Sequence, residues 1–303
     1  MVTRVATAFQ NENTLRNLQL ANQGMALTTY QITTGLKSQK ISDDPANMNT
    51  IISLRDVATK TSSYLANLST AKNTLTSAES ALNQLTDLLS DAVSLATTAR
   101  NESSADTRAT LAPKAQALAE SFYTLFNSQY NGQYLFSGSN AAQSPISSAA
   151  SAQPFPGSPV PTTWYEGDDQ LASVISGAGT TLQYGVLGDD PTFANLKAGL
   201  ESLWYGLQNN NLTEIDSATS ALTSAKTGLS SLLGNVGGQL NTIDLLSTRQ
   251  TSQQSIITNQ LNDLDQVDVS TALTQFSQQQ ATLQASMLII TKVNSLSLLD
   301  YLH

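Results

Sequence analysis

The chain has no cysteine, and its one histidine is the last of 303 residues. The first absence excludes a disulfide framework and any thiolate nucleophile or metal ligand. The second excludes a Ser–His–Asp triad, since an imidazole on a free chain end has nothing to orient it. Charge is scarce as well: Asp, Glu, Lys and Arg make up 12% of the residues, about half the ordinary share. The net charge of -9 lacks the basic footprint that a nucleic-acid partner requires. No run reaches the ~18 apolar residues of a membrane span. The N-terminus also lacks the ~7–15-residue apolar stretch of a cleaved signal peptide.

Neutral polarity replaces the missing charge. Ser, Thr, Asn and Gln supply about two-fifths of the chain, and the hydrophobic share of 40% is enough for a substantial core.

Glycine and proline are absent from Ala46 to Ala112, whereas six of the eight prolines fall between Pro145 and Pro191. This contrast predicts a long helical part and an irregular, β-rich insert. A first helix is expected over about Thr7–Leu36, with Leu15, Leu18, Asn22, Met25, Thr29, Ile32 and Leu36 in a 3–4 alternation. A second is expected from Pro45 to about Arg100. At 1.5 Å per residue it would be roughly 80 Å long, longer than a compact domain of this size is wide. A third should run to about Tyr130, followed by an Asn131-Gly132 turn and a short strand over Gln133–Gly138. Strand candidates in the insert are Thr162–Glu166, Ala172–Ile175 and Thr181–Val186. Helical periodicity resumes at Phe193, and Gly234–Gly238 is expected to break it. After a second break at Asp265–Asp268 comes a final helix. Its seam is Val269, Leu273, Phe276, Gln280, Leu283, Met287, Ile290 and Asn294.

The expected fold class is therefore mainly α: an elongated bundle of long helices built from both chain ends, with a small β-rich outer domain inserted between them. The division runs 1–40 and 266–303 for terminal coiled-coil segments, 41–138 and 191–265 for a helical rod, and 139–190 for the outer domain. Terminal seams with so few charges would be sticky in a monomer, and they point to subunit assembly. The candidate contact residues are Leu15, Leu18, Met25, Ile32, Leu273, Phe276, Leu283, Met287 and Ile290.

Acidic pairs are the only candidates for catalysis or metal binding, and structural roles explain them better. Asp43 and Asp44 precede Pro45 and read as a helix cap. Asp168-Asp169 and Asp189-Asp190 lie in turn-rich sequence and lack the alternating spacing of a calcium loop. No constellation of acid, base and nucleophile is present, so no enzyme and no cofactor are expected. Trp204-Tyr205 should be core, and Trp164-Tyr165 a strand pair or a surface patch.

The segment Thr34-Gly35-Leu36-Lys37 followed by Ile41-Ser42-Asp43-Asp44-Pro45-Ala46 resembles the N-terminal signature of the bacterial flagellin family. Asn131-Gly132-Gln133-Tyr134-Leu135-Phe136-Ser137-Gly138 and the tail Leu298-Leu299-Asp300-Tyr301-Leu302 resemble the family members that join hook to filament more than they resemble filament flagellin. Two departures stand out: the Gly35 segment is longer than usual, and Gln239 occupies a position that is usually basic.

The resemblance implies a secreted structural protein of the extracellular flagellum at the hook–filament junction. It implies unfolded type III export and terminal helices that order on assembly. The partners it implies are copies of the chain in a ring, a hook-side junction protein or the hook, and flagellin or another hook-associated protein distally. An export chaperone on the C-terminal helix is also implied. A filament flagellin with a reduced outer domain, or a secreted coiled-coil adhesin, are the alternative readings.

Overall fold

The computed structural model describes residues 2–38, 45–146 and 164–301. Asp43, Asp44 and most of the Pro-rich stretch lie outside them. The architecture is mainly α, as expected, with six helices and two small sheets among the described residues. In chain order the helices are α1 (Val2–Thr34), α2 (Pro45–Asn101), α3 (Ala105–Phe126), α4 (Pro191–Gln208), α5 (Leu212–Asp265) and α6 (Val269–Tyr301). Strands β1 (Gln129–Tyr130) and β2 (Gln133–Tyr134) form one antiparallel hairpin, and β3 (Ala172–Gly177) and β4 (Thr180–Tyr184) another.

The chain divides into two compact units. Met1–Lys60 and Gln253–His303 make a terminal unit, and Thr61–Ser252 make a central one.

The central unit holds the core. A continuous apolar cluster runs from Leu68 through Leu75, Leu82 and Leu89 on α2, Phe122 and Phe126 on α3, and Leu196 and Leu203 on α4, to Leu222 and Leu229 on α5. These positions recur every three to four residues, so each helix presents one stripe to the others. Lys72 pairs with Asp244 at 2.5 Å, and Arg100 pairs with Asp216. The two basic residues are 28 positions apart on α2, and the two acids are 28 apart on α5. That interval is a whole number of heptads on antiparallel helices. Both pairs are solvent-exposed, so they select register more than they add stability.

α5 runs unbroken through Gly234–Gly238, contrary to the break expected there. Val236 is fully buried inside that stretch, as are Leu229 and Ile243 on either side. Packing of the flanks therefore overrides about 1 kcal/mol of propensity lost per glycine. α3 ends at Phe126 instead of near Tyr130, because Ser128 and Leu135 pair through their backbones and the chain enters the first hairpin.

The expected strand at Thr162–Glu166 is not formed over its described part, Trp164–Glu166. Trp164 is buried there, neither a strand residue nor a surface one. Its ring lies 5.4 Å from Phe126, which also meets Phe122 at 5.4 Å, Phe136 at 5.4 Å and Phe193 at 4.9 Å. The Tyr165 hydroxyl lies 2.9 Å from the Phe136 carbonyl and 3.0 Å from that of Asp168. Burial, helped by the carboxylates of Asp189, Asp168 and Asp169, pushes this phenol up to about 12 against a hydrogen bond with the Gly188 backbone. Trp204 packs partly buried against the same core.

Asp168 and Asp190 act as turn and cap residues. Asp168 accepts from the Ser139 amide at 2.7 Å and the Ser139 hydroxyl at 2.6 Å, bonds that hold its carboxyl below the usual range. Gly138 has a φ of +73°, and a Cβ there would fall on Asp168. The Tyr-Leu-Phe-Ser-Gly motif thus closes against the Asp168 turn. Asp190 caps α4 by accepting from the Thr192 amide at 2.8 Å, with Pro191 opening the helix.

Three side-chain amides dock the second hairpin. Asn67 donates to the Ile175 carbonyl at 3.0 Å and Gln250 to that of Ser176 at 2.8 Å. Gln239 accepts from the Gly185 amide at 2.9 Å and donates to the Gly185 carbonyl at 3.1 Å. A neutral amide at position 239 matches both backbone groups of one residue, which a basic side chain cannot do.

Candidate assembly interface

The terminal unit is built from α1, the start of α2, the end of α5, and α6. No residue between Arg16 and Lys37 or between Asp268 and Lys292 carries a charge. Helix α1 packs on α6. A buried or half-buried seam runs through Thr14, Leu18, Ala21, Met25, Thr28 and Ile32 on α1, with Gly24, Tyr30 and Gln31 half-buried beside it, and through Ala272, Phe276, Gln279, Leu283, Ser286 and Ile290 on α6. Each seam is a strict 3–4 alternation, the pattern of a coiled coil. At its centre the Thr28 hydroxyl lies 2.9 Å from both Gln279 Oε1 and the Gly24 carbonyl. Gly24 leaves room for Gln279, which a Cβ would meet at 3.2 Å.

Of the nine residues singled out from sequence, the structure places Leu18, Met25, Ile32, Phe276, Leu283 and Ile290 in these half-buried stripes. Leu15, Leu273 and Met287 point outward, with 58%, 49% and 51% of their surfaces exposed. They are not alone. Twelve of the fifteen exposed large apolar side chains among the described residues belong to the terminal unit, Phe9, Leu20, Leu288 and Ile289 among them. Its fully buried large side chains are few, Ile51 and Ile257. An apolar surface this rich over so small a core is unusual for a free-standing domain.

The polar residues of this surface are prepared for burial. Thr29, Thr33 and Thr34 on α1, and Thr274, Ser277, Thr282, Ser286 and Thr291 on α6, all donate their hydroxyls to carbonyls four residues back. A hydroxyl already bonded to its own helix loses little when water leaves, whereas an unpaired polar group loses a few kcal/mol.

A clasp that sequence reasoning missed joins the linkers of this unit. Lys37 donates its backbone N–H to the Asp265 carbonyl at 2.7 Å, and Val267 donates to Gly35 at 2.9 Å. The Asp265 carboxylate, nearly buried, meets Arg55 at 2.5 Å. Asp265 sits at the expected helix break, but no local signal ties a break residue to partners more than two hundred positions away.

Asp268 caps α6, accepting from the Ser270 and Thr271 amides and the Thr271 hydroxyl. Those bonds, the Thr271 hydroxyl first, hold its carboxyl below the usual carboxylate range. A depressed carboxyl contributes stability above its unfolded-state value and loses it as pH falls through the folded one. Amide protection at Ser270 and Thr271 is therefore expected to drop below about pH 4, and Asp268→Ala should show the unprotected level at every pH. Hydrogen exchange followed by NMR checks both.

Among the described residues no group of three His, Cys, Asp or Glu side chains could hold a metal ion. No described helix is long and apolar enough to cross a membrane.

The terminal unit thus pairs two helices whose facing stretches, 17–36 and 269–291, carry no charge. Residues 5–141 match the family model of the bacterial flagellin N-terminal helical region. The chain is similar over nearly its whole length to flagellar hook-associated protein 3 of Escherichia coli, at 26% identity covering 97% of this chain and 98% of that protein. The protein of the same name from Salmonella typhimurium is also 26% identical, over 97% and 98%. Among solved structures, Bacillus cereus FlgL shares the fold at 16% identity with a TM-score of 0.57, covering 69% of this chain and 98% of that one. The resemblance carried by the sequence motifs thus extends to the whole chain.

Proposed function

We propose that this chain is a structural protein of the bacterial flagellum that forms the junction between hook and filament. The similarity to hook-associated protein 3 and the flagellin-type helical region support a flagellar structural role outside the cell. The observation that carries the assembly reading is the concentration of exposed apolar side chains on the terminal unit.

Subunits add in a ring through their terminal helices, after export in unfolded form. Burial yields about 25 cal/mol per Å² of apolar surface, against roughly 1–2 kcal/mol for ordering each residue's backbone. A helix pair with so little core of its own gains enough only by packing on neighbours, which couples its ordering to its position. The partners of this reading are copies of the chain, a hook-side junction protein or the hook on one side, and flagellin or another hook-associated protein on the other. An export chaperone holds the C-terminal helix beforehand.

The test is to delete the gene and image the cells and their medium. Intact hooks without filaments, with flagellin shed into the medium, are the expected result. Normal filaments would sink the proposal. Loss of filaments with no flagellin in the medium would identify the chain as the filament subunit instead.

A further inference from the structure

Six glycines lie inside helices of the central unit, and they fall into two groups. Gly199, Gly206 and Gly228 are required by close packing. A Cβ on them would come within 2.8 Å of Leu222, 2.9 Å of the Asn211 carbonyl and 2.1 Å of Thr192. Gly234, Gly237 and Gly238 meet nothing within 4 Å, and none has a positive φ. Neither packing nor backbone geometry calls for three glycines within five residues of a continuous helix.

The surroundings of this stretch are firm. Leu229 and Ile243 on either side are fully buried, as is Val236 within it, and Gln239 just beyond bonds to both the N–H and the carbonyl of Gly185. Just beyond, the Thr242 hydroxyl donates to the Gly238 carbonyl at 2.9 Å, a back-bond of the kind that bends helices. The helix is thus anchored on both sides of a segment whose composition lowers its local stability.

We propose that Gly234–Gly238 is a flexure in α5, a short helical segment that opens locally and lets the helix change curvature while its buried flanks stay in place. This rests on the isolated chain and is independent of the junction reading. Alanine can occupy all three positions without contact, so Gly→Ala there should stiffen the helix and nothing else.

Hydrogen exchange on the full-length monomer, corrected for intrinsic rates, tests it. Amides of 234–241 are expected to exchange faster than those of 219–229 in the same helix. Each of Gly234→Ala, Gly237→Ala and Gly238→Ala should slow that exchange about fivefold, as the helix-propensity difference requires. The triple variant should slow it further and melt higher. Exchange in 234–241 as slow as in 219–229 would overturn the proposal. So would a triple variant with unchanged exchange; if that variant also failed to restore motility, the glycines would be a contact surface and not a flexure.

Discussion

Removing residues 1–37, or 269–303, is expected to leave a soluble monomer that folds but adds to no assembly. The core cluster from Leu68 to Ile243 lies wholly in the central unit, so neither truncation takes a residue of that cluster. Both tryptophans, Trp164 and Trp204, are in that unit, so their fluorescence should report an unchanged melting transition. Assembly should fail completely because each truncation removes one partner of the α1–α6 pair and, among the described residues, four or five of the terminal unit's twelve exposed large apolar side chains. Sedimentation of the purified variants, and motility of a deletion strain that expresses them, provide the measurement. Restored motility with either truncation would refute assembly through the terminal helices.

Phe126→Ala should produce the opposite pattern, with stability lost and the assembly surface kept. Phe126 is fully buried and touches four other rings at 4.9 to 5.4 Å. Truncating such a side chain costs about 3–5 kcal/mol in transfer and cavity terms. For a unit of this size that corresponds to a fall in Tm of roughly 10 °C. Phe9→Ala is the matched control, since Phe9 is 65% exposed. It should leave the melting transition unchanged while weakening association. Equal melting temperatures for the two variants would show that the rings around Phe126 do not carry the central unit.

The two variants separate what the chain's surfaces do. Burial in the central unit closes on itself, and burial in the terminal unit stays open. The Ser- and Thr-rich composition serves the second case, because hydroxyls bonded along their own helix can leave water at little loss. Charged side chains at those positions would keep their hydration, and desolvating them at an interface is expensive unless they are paired.

The long helices were legible from sequence for a simple reason. Pro45 is pre-organised for a helix start, and nothing in the next 56 residues disfavours a helix, so local preference and burial agree along α2. The Asp190-Pro191 start of α4 follows from the same chemistry. Where the two levels conflict, local reading fails. Glycines 234, 237 and 238 signal a break, but the buried Val236 and its flanks hold the helix. Trp164 sits among turn residues, and only the convergence of α3, α4 and the Phe136 loop makes it core.

The seam of the terminal unit shows the division between sequence and tertiary structure most sharply. Sequence alone indicated that both chain ends form amphipathic helices with few charges and a coiled-coil period, and that such seams would be sticky in a monomer. It could not determine which part of each stripe faces inward. Thr28, Gly24 and Gln279 meet at the centre of the α1–α6 pair, and none of them scores as apolar. A small residue opposite a long amide lets two backbones approach, and only the pairing of the helices reveals that fit. With that face used, Leu15, Leu273 and Met287 are left outward. The tertiary structure thus decided which apolar residues pack within the chain and which stay exposed, because helical period specifies a stripe and packing alone specifies its partner.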